Sequence, residues 1–215
     1  MAQSTENFIS ETKAEYKNKK YFPIPKISFL QRANDTVIYI TRNLPIKPAN
    51  LYIHKICKRF NLHGKNIVDL GSALGYNSFY FKAERNEVTG IELVDEFVKY
   101  SEERYGRYNI KFIEGDAING LDCFVDQSVD FIYCCNLPAH FDTAHFDTSP
   151  YMELLIDKAI QKLKKKGGLF YYLFYSTIHP QGRFSTTIKE VRDFMQKKKI
   201  TNFNLNEVFL EYPMT

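Results

Sequence analysis

The sequence predicts an α/β protein with a single doubly wound, mostly parallel sheet and helices on both of its faces. From Asn66 onward, short apolar runs alternate with segments of helical periodicity, which is typical of βαβ units. Hydrophobic residues make up 44% of the chain and charged residues 25%, a globular balance. A chain of 215 residues has room for one such domain and an N-terminal extension.

Five of the apolar runs are predicted as strands: Ile67–Leu70, Val88–Glu92, Ile110–Glu114, Val129–Cys135 and Leu169–Tyr175. Apolar residues at helical spacing predict helices over 94–105, 155–163 and 188–195. Gly167 and Gly168 are predicted to end the second of these helices. Two lysine clusters, Lys164–Lys166 and Lys197–Lys199, are then expected at helix ends, where they complement the helix dipole.

Residues 1–49 follow another pattern, polar at first and then rich in proline and aromatic residues. We expect this extension to cover the pocket of a 50–215 domain as a lid, or alternatively to wrap the sheet edge. Beyond Lys199 only one further strand is predicted, over 203–211, which leaves a sheet edge to be covered. Thr36–Thr41, β-branched and alternating, is predicted as the strand that pairs there. The rivals are a partner chain, so that monomer and edge-paired homodimer both stay open, and a missing last strand.

Composition narrows the setting of the protein. The net charge is only +4, and no apolar run approaches the roughly 20 residues that span a bilayer. The first residues lack the order of a secretory signal. The cysteines have no paired C-x-x-C spacing and are read as reduced thiols: Cys57, Cys123, Cys134 and Cys135. We therefore expect a cytoplasmic protein without membrane contact.

A glycine-rich turn follows the first predicted strand. Asp69-Leu70-Gly71-Ser72-Ala73-Leu74-Gly75 places an acid at the strand end and then leads into a helix near Tyr76. Gly71 and Gly75 permit positive φ and close backbone approach, and the helix N-terminus favours an anionic group. The spacing is D-x-G-x-x-x-G, whereas dinucleotide enzymes usually have G-x-G-x-x-G, so the turn points away from NAD.

From about Asn50 to the C-terminus the chain resembles the class I, Rossmann-like methyltransferases that use S-adenosylmethionine. The resemblance implies that the glycine backbone, with Gly71, Ser72 and Gly75, contacts the methionine part of the cofactor. It implies that Asp69 helps to position the cofactor's amino group. A carboxylate there would offset the charge of the ammonium and the sulfonium.

Two further acids follow successive strands at the positions of the family's next motifs. Glu92 ends the second strand, where a carboxylate accepts hydrogen bonds from both ribose hydroxyls. Asp116 follows the third strand, where the family's acid accepts from the adenine amino group and a backbone N–H such as that of Ala117 meets a ring nitrogen. Leu93 is expected to lie against the base. The three acids in this order predict S-adenosylmethionine as the cofactor.

The loop after the fourth strand is where the resemblance places the methyl acceptor. Enzymes that methylate exocyclic amines carry Asn-Pro-Pro-aromatic there, and Asn136-Leu137-Pro138-Ala139 matches this only in part. His140 is the first candidate for a base that takes a proton from a hydroxyl or amine, and His145 is the second. Asn136 is a third catalytic candidate and also borders the cofactor. No metal is predicted, because the doubled His-Phe-Asp-Thr of 140–148 lacks the spacing of a dedicated site.

Together these features predict an S-adenosylmethionine-dependent methyltransferase that acts on an O or N atom of a small molecule. One alternative is methylation of a macromolecule, at an exocyclic amine of RNA or DNA or at a protein side chain. The other is a non-catalytic subunit that keeps the cofactor fold for binding.

Overall fold

The computed structural model describes residues 24–41, 48–135, 150–172 and 188–199. Its helices and strands follow one another as α1 (Phe29–Thr41), α2 (Pro48–Phe60), β1 (Asn66–Leu70), α3 (Tyr76–Ala83), β2 (Glu87–Glu92), α4 (Asp95–Tyr105), β3 (Lys111–Glu114), α5 (Ala117–Gly120), β4 (Val129–Cys135), α6 (Pro150–Lys162), β5 (Leu163–Tyr172) and α7 (Ile188–Lys197). The predicted fold class is confirmed, and the first four predicted strands agree with β1–β4 to within one residue at either end.

Within these ranges the five strands form one parallel sheet in the order β3-β2-β1-β4-β5. The chain winds from β1 outward to β3, and β4 then adds on the other side of β1. In such a sheet, ligands bind at the carboxyl ends of the strands beside the point where the winding reverses. That point lies between β1 and β4, directly at the predicted glycine turn.

Neighbouring residues of the central strands alternate between two hydrophobic cores. Ile67 of β1 and Phe131 of β4 pack with side chains of α1–α4 on one face. Val68 and Ile132 pack with α5 and α6 on the other. The strands are buried on both faces, which is why they read as continuous apolar runs in the sequence.

The predicted strand Thr36–Thr41 is wrong, because this segment is the second half of helix α1. Ile38 is 2% exposed and belongs to the core, whereas Val37 and Ile40 are 51% and 70% exposed, which is the pattern of a helix with one buried face. Burial of one isoleucine contributes about 1.5–3 kcal/mol and outweighs the β-propensity of the segment. The internal candidate for covering the sheet edge is therefore removed.

The predicted helix end at Gly167 and Gly168 is also wrong. The helix ends earlier, at Lys162, and both glycines lie inside β5, which begins at Leu163 rather than Leu169. The β4–β5 register shifts between Val129 and Phe131, and a Cβ on Gly167 would lie 3.0 Å from the carbonyl oxygen of Asp130. Glycine is needed here for an irregular strand pairing, and not for a helix C-cap.

The two lysine clusters have different surroundings. Lys164–Lys166 lie in β5, so their predicted place at a helix end is wrong; Lys164 binds the carboxylate of Asp130, with both Nζ–O distances 2.9 Å. Lys197 closes α7 as predicted, and Lys198 just beyond it binds Glu153 and Asp157 of α6. Among the residues that the structure describes, no helix has the length and apolarity needed to cross a bilayer.

Candidate active site

The turn between β1 and α3 presents its backbone to the carboxyl edge of the sheet. Gly71, Ala73 and Gly75 all have positive φ, at 69°, 46° and 74°. Gly75 is the N-cap of α3 and supplies no side-chain cap, so the first N–H groups of α3 have no side-chain acceptor. A helix N-terminus of this kind attracts a carboxylate or another anion.

Two glycines let the surrounding chain approach closely. A Cβ on Gly75 would lie 2.9 Å from Cζ of Phe112 and 2.9 Å from Oγ of Ser101. A Cβ on Gly90 of β2 would lie 2.8 Å from both Phe112 and the Ser72 hydroxyl. Gly75 was predicted from the motif; Gly90 was not, because its reason is a contact with a neighbouring strand and the turn.

Asp69 ends β1 beneath this turn and is 1% exposed. The Ser78 hydroxyl of α3 donates to its Oδ2 at 2.5 Å. Burial raises the pKa of Asp69 from 3.8 to about 7; the Ser78 hydrogen bond opposes this rise and the nearby Glu92 charge adds to it. A buried carboxyl of this kind gains most from a cationic ligand.

Glu92 ends β2 and is 7% exposed. Its Oε2 accepts from the N–H of Ala73 at 2.8 Å, and its Oε1 accepts from the N–H of Val94 at 2.9 Å. Burial raises the pKa of Glu92, while backbone hydrogen bonds from Val94, Ala73 and Leu93 oppose the rise. The side chain predicted to bind a ribose therefore also ties the glycine turn to β2.

Asp116 follows β3 and is the N-cap of α5. Its Oδ1 accepts from the N–H groups of Ile118 and Asn119 at 3.0 and 3.1 Å. The buried hydroxyl of Tyr151 in α6 donates to its Oδ2 at 2.7 Å. The sequence analysis did not identify Tyr151, because a tyrosine on a helical face gives no local signal of a partner 35 positions away.

The structure thus brings three predicted acids to the carboxyl ends of neighbouring strands. Ala117 is buried beside Asp116, and Leu93 is partly exposed beside Glu92. Asn136, His140 and His145 lie outside the described residues, so their predicted roles stay predictions.

The last residues of β4 add two polar groups near Asp69. Tyr133 faces Asp69 across the β1–β4 pairing, and Cys135 follows two residues later. Burial raises the pKa of Tyr133, as do Cys135 and the neighbouring Tyr52. Burial also raises the pKa of Cys135, and the Asp69 charge adds to this, although a hydrogen bond with Tyr133 opposes it. Both groups are therefore protonated at neutral pH and neither serves there as a base.

The fold and the site define a class of protein. A parallel sheet of order β3-β2-β1-β4-β5, a glycine turn into an uncapped helix, and acids after β1, β2 and β3 form a Rossmann-like cofactor-binding domain.

Comparisons with known proteins narrow this class to one family. The family described as "Methyltransferase domain" matches residues 67–167. The fold resembles the YcgJ protein of Bacillus subtilis, at 16% identity and a TM-score of 0.54, over 67% of this chain and 66% of that one. It also resembles phosphoethanolamine N-methyltransferase 2 of Haemonchus contortus with bound S-adenosylhomocysteine, at 19% identity and a TM-score of 0.54, over 82% of this chain and 45% of that one. No curated protein sequence matches this chain.

The chain is a class I methyltransferase, and its cofactor is S-adenosylmethionine. The residues present fit this cofactor. The Ser72 hydroxyl in the turn is buried and has no hydrogen-bond partner among the described residues, and the first N–H groups of α3 have no side-chain cap. Asp69 offers a buried carboxyl to the ammonium. Within the described ranges, no group of three or more His, Cys, Asp and Glu side chains could hold a metal ion.

Proposed function

We propose that this enzyme transfers the methyl group of S-adenosylmethionine to an O or N atom of a small molecule. The cofactor supplies a methyl group already activated on a sulfonium. The chain's task is to hold that methyl in line with the acceptor, to exclude water and to accept a proton.

The observation that carries the cofactor half of this proposal is the set of three buried acids. We propose that Asp69 holds the amino group, Glu92 the ribose and Asp116 the adenine amino group. The turn residues Gly71, Ser72 and Gly75 and the first turn of α3 receive the methionine carboxylate.

The acceptor half rests on which groups can take a proton. At the end of β4 the nearest titratable side chains, Tyr133 and Cys135, keep their protons, and Asp69 is committed to the cofactor's amino group. The base must then come from elsewhere, and the segment that follows β4 contains His140 and His145. We propose His140 as the base for a hydroxyl or amine acceptor.

The charge distribution favours a small acceptor over a nucleic acid. In the described ranges many basic side chains are already bound to carboxylates: Arg32, Lys82, Lys99, Arg104, Lys158, Lys162, Lys164 and Lys198. A phosphate backbone is bound by basic groups that are free to replace its counterions. Methylation of an exocyclic amine remains the second candidate, favoured by Asn136-Leu137-Pro138.

The test is a transfer assay with methyl-labelled cofactor on three acceptor pools: small metabolites including phosphorylated ethanolamines, total RNA, and protein extract. Label in a metabolite is the expected result, and label only in RNA or protein would overturn the small-molecule assignment. With the acceptor known, His140→Ala should lower kcat while the Kd of S-adenosylhomocysteine stays unchanged. His63→Ala is the control, because His63 is exposed just before β1, at the opposite end of the sheet. A severe loss in Asn136→Ala with an exocyclic amine acceptor would establish the second candidate.

A further inference from the structure

A buried ion pair joins α1 to α4. Asp35 of α1 is 3% exposed and Arg104 of α4 is 5% exposed. Nε of Arg104 donates to Oδ2 of Asp35 at 2.8 Å, and Nη2 donates to Oδ1 at 3.1 Å. This two-point geometry fixes the plane of the guanidinium. Burial disfavours the charged guanidinium, but the hydrogen bond from Asp35 and the surrounding groups raise the pKa of Arg104.

The remaining nitrogen of the guanidinium is directed at the glycine turn. Nη1 of Arg104 donates to the Tyr100 hydroxyl at 2.7 Å and to the Tyr76 hydroxyl at 3.1 Å. The guanidinium carbon also lies 5.0 Å from the centroid of the Tyr76 ring. Tyr76 is the first residue of α3, directly after Gly75, so the ring that Arg104 holds belongs to the N-terminus predicted to receive the cofactor.

The same helix holds the turn at a second point. Ser101 precedes Arg104 by three positions and so lies on the same face of α4. Its hydroxyl donates to the carbonyl oxygen of Ala73 at 3.2 Å. Helix α4 therefore contacts the turn at Ala73 through Ser101 and at Tyr76 through Arg104, and Asp35 supports the second contact from α1.

We propose that Asp35 is a positioning residue for the cofactor: acting through Arg104, it holds the Tyr76 ring and with it the first turn of α3 in the conformation that the cofactor's carboxylate requires. This inference rests on the proposed binding of that carboxylate at α3. It assigns the α1 segment a role in cofactor binding that needs no closing motion.

The experiment measures the Kd of S-adenosylhomocysteine by calorimetry for the full chain, Asp35→Asn, Tyr76→Leu and the double variant. Each single substitution is expected to raise Kd by about 3- to 30-fold. If Asp35 acts through Tyr76, the double variant binds no more weakly than the weaker single variant. A merely structural contribution of Asp35 would instead multiply with that of Tyr76.

The chain provides a matched control. Arg32 and Glu103 join the same two helices at 2.9 Å, with side chains 34% and 65% exposed. Among the residues that the structure describes, none of the side-chain hydrogen bonds of this pair reaches the turn. Glu103→Gln should therefore leave Kd unchanged. Ile156→Val, in the core on the opposite face of the sheet, controls for lowered stability alone.

Two results would overturn the inference: a Kd for Asp35→Asn equal to that of the unaltered chain, or singly caused losses that multiply in the double variant. Should Asp35→Asn fail to fold, Tyr76→Phe decides, because it removes only a hydroxyl from a ring that is 37% exposed. It should still weaken binding, and an unchanged Kd would count against the inference. Failure of the unaltered chain to bind S-adenosylhomocysteine would refute the cofactor site itself, which keeps the two failures distinct.

Discussion

Replacement of Asp69 by Asn tests the electrostatics of the site in the absence of any ligand. Asp69 is 1% exposed, and burial raises its pKa from 3.8 to about 7. The Ser78 hydroxyl, at 2.5 Å, can donate to the amide oxygen of an asparagine as it does to the carboxylate. The substitution therefore removes the titration of this group and keeps its hydrogen-bond partner.

The sign of the effect follows from the raised pKa. In the unfolded chain the carboxyl loses its proton near 3.8, whereas the folded protein keeps that proton until about pH 7. Between these values each pH unit costs the folded state about 1.36 kcal/mol. The cost is about 1.5 kcal/mol at pH 5 and reaches about 4 kcal/mol above pH 7. Asp69→Asn abolishes it, so the cofactor-free variant should be more stable than the unaltered protein at pH 8.

The assay is urea unfolding of both proteins at pH 5 and pH 8. The stability advantage of Asp69→Asn should grow by about 2.5 kcal/mol between these pH values. At pH 8 the same variant should bind S-adenosylhomocysteine at least about tenfold more weakly, because it offers no charge to the ammonium. An advantage that is independent of pH, or a variant less stable than the unaltered protein at pH 8, would refute the reasoning.

Asp130 provides a control of opposite sign. It is partly buried, which by itself would raise its pKa, but the Asn66 N–H at 3.0 Å and the Lys164 ammonium at 2.9 Å lower that pKa. Its contribution to stability is complete above the unfolded pKa and is lost only in stronger acid. Asp130→Asn should therefore lower the free energy of unfolding by the same amount at pH 5 and pH 8.

Three further outcomes are expected. Gly75→Ala should abolish cofactor binding in calorimetry, because φ is 74° and the new methyl group would lie 2.9 Å from Phe112; Gly106→Ala, with φ −55° and nothing within 4 Å of the new methyl, should bind normally. Glu92→Gln should cost about 1.5–3 kcal/mol in cofactor binding and also lower the melting temperature, because one of its oxygens no longer accepts from a backbone N–H. Tyr151→Phe should weaken S-adenosylhomocysteine binding by about three- to tenfold, since it removes the hydroxyl that orients Asp116, and equal affinity would contradict this role.

Much of the sheet and the cofactor side of the site could be predicted from the sequence because their signals are local. Strands buried on both faces leave short apolar runs, and a parallel sheet brings every strand's carboxyl end to one edge. Asp69, Glu92 and Asp116 were therefore placed correctly at that edge by their position after each run. Ser28 and Gln31 also carried a local signal that was not used: they form a capping box at the start of α1, with hydrogen bonds of 2.7 and 3.2 Å.

The sequence by itself determined the order of the strands' residues, the positive-φ turn at Gly71 and Gly75, and the acids beside it, because each depends on neighbours within a few positions. Only the tertiary structure decided that Thr36–Thr41 is helical, since that choice follows from the burial of Ile38 against distant helices. It also decided the partners of Arg104 and Asp116, which are 69 and 35 positions away from them. Such contacts leave no periodic trace in a sequence, because folding selects them by proximity and by the need of every buried charge for a partner.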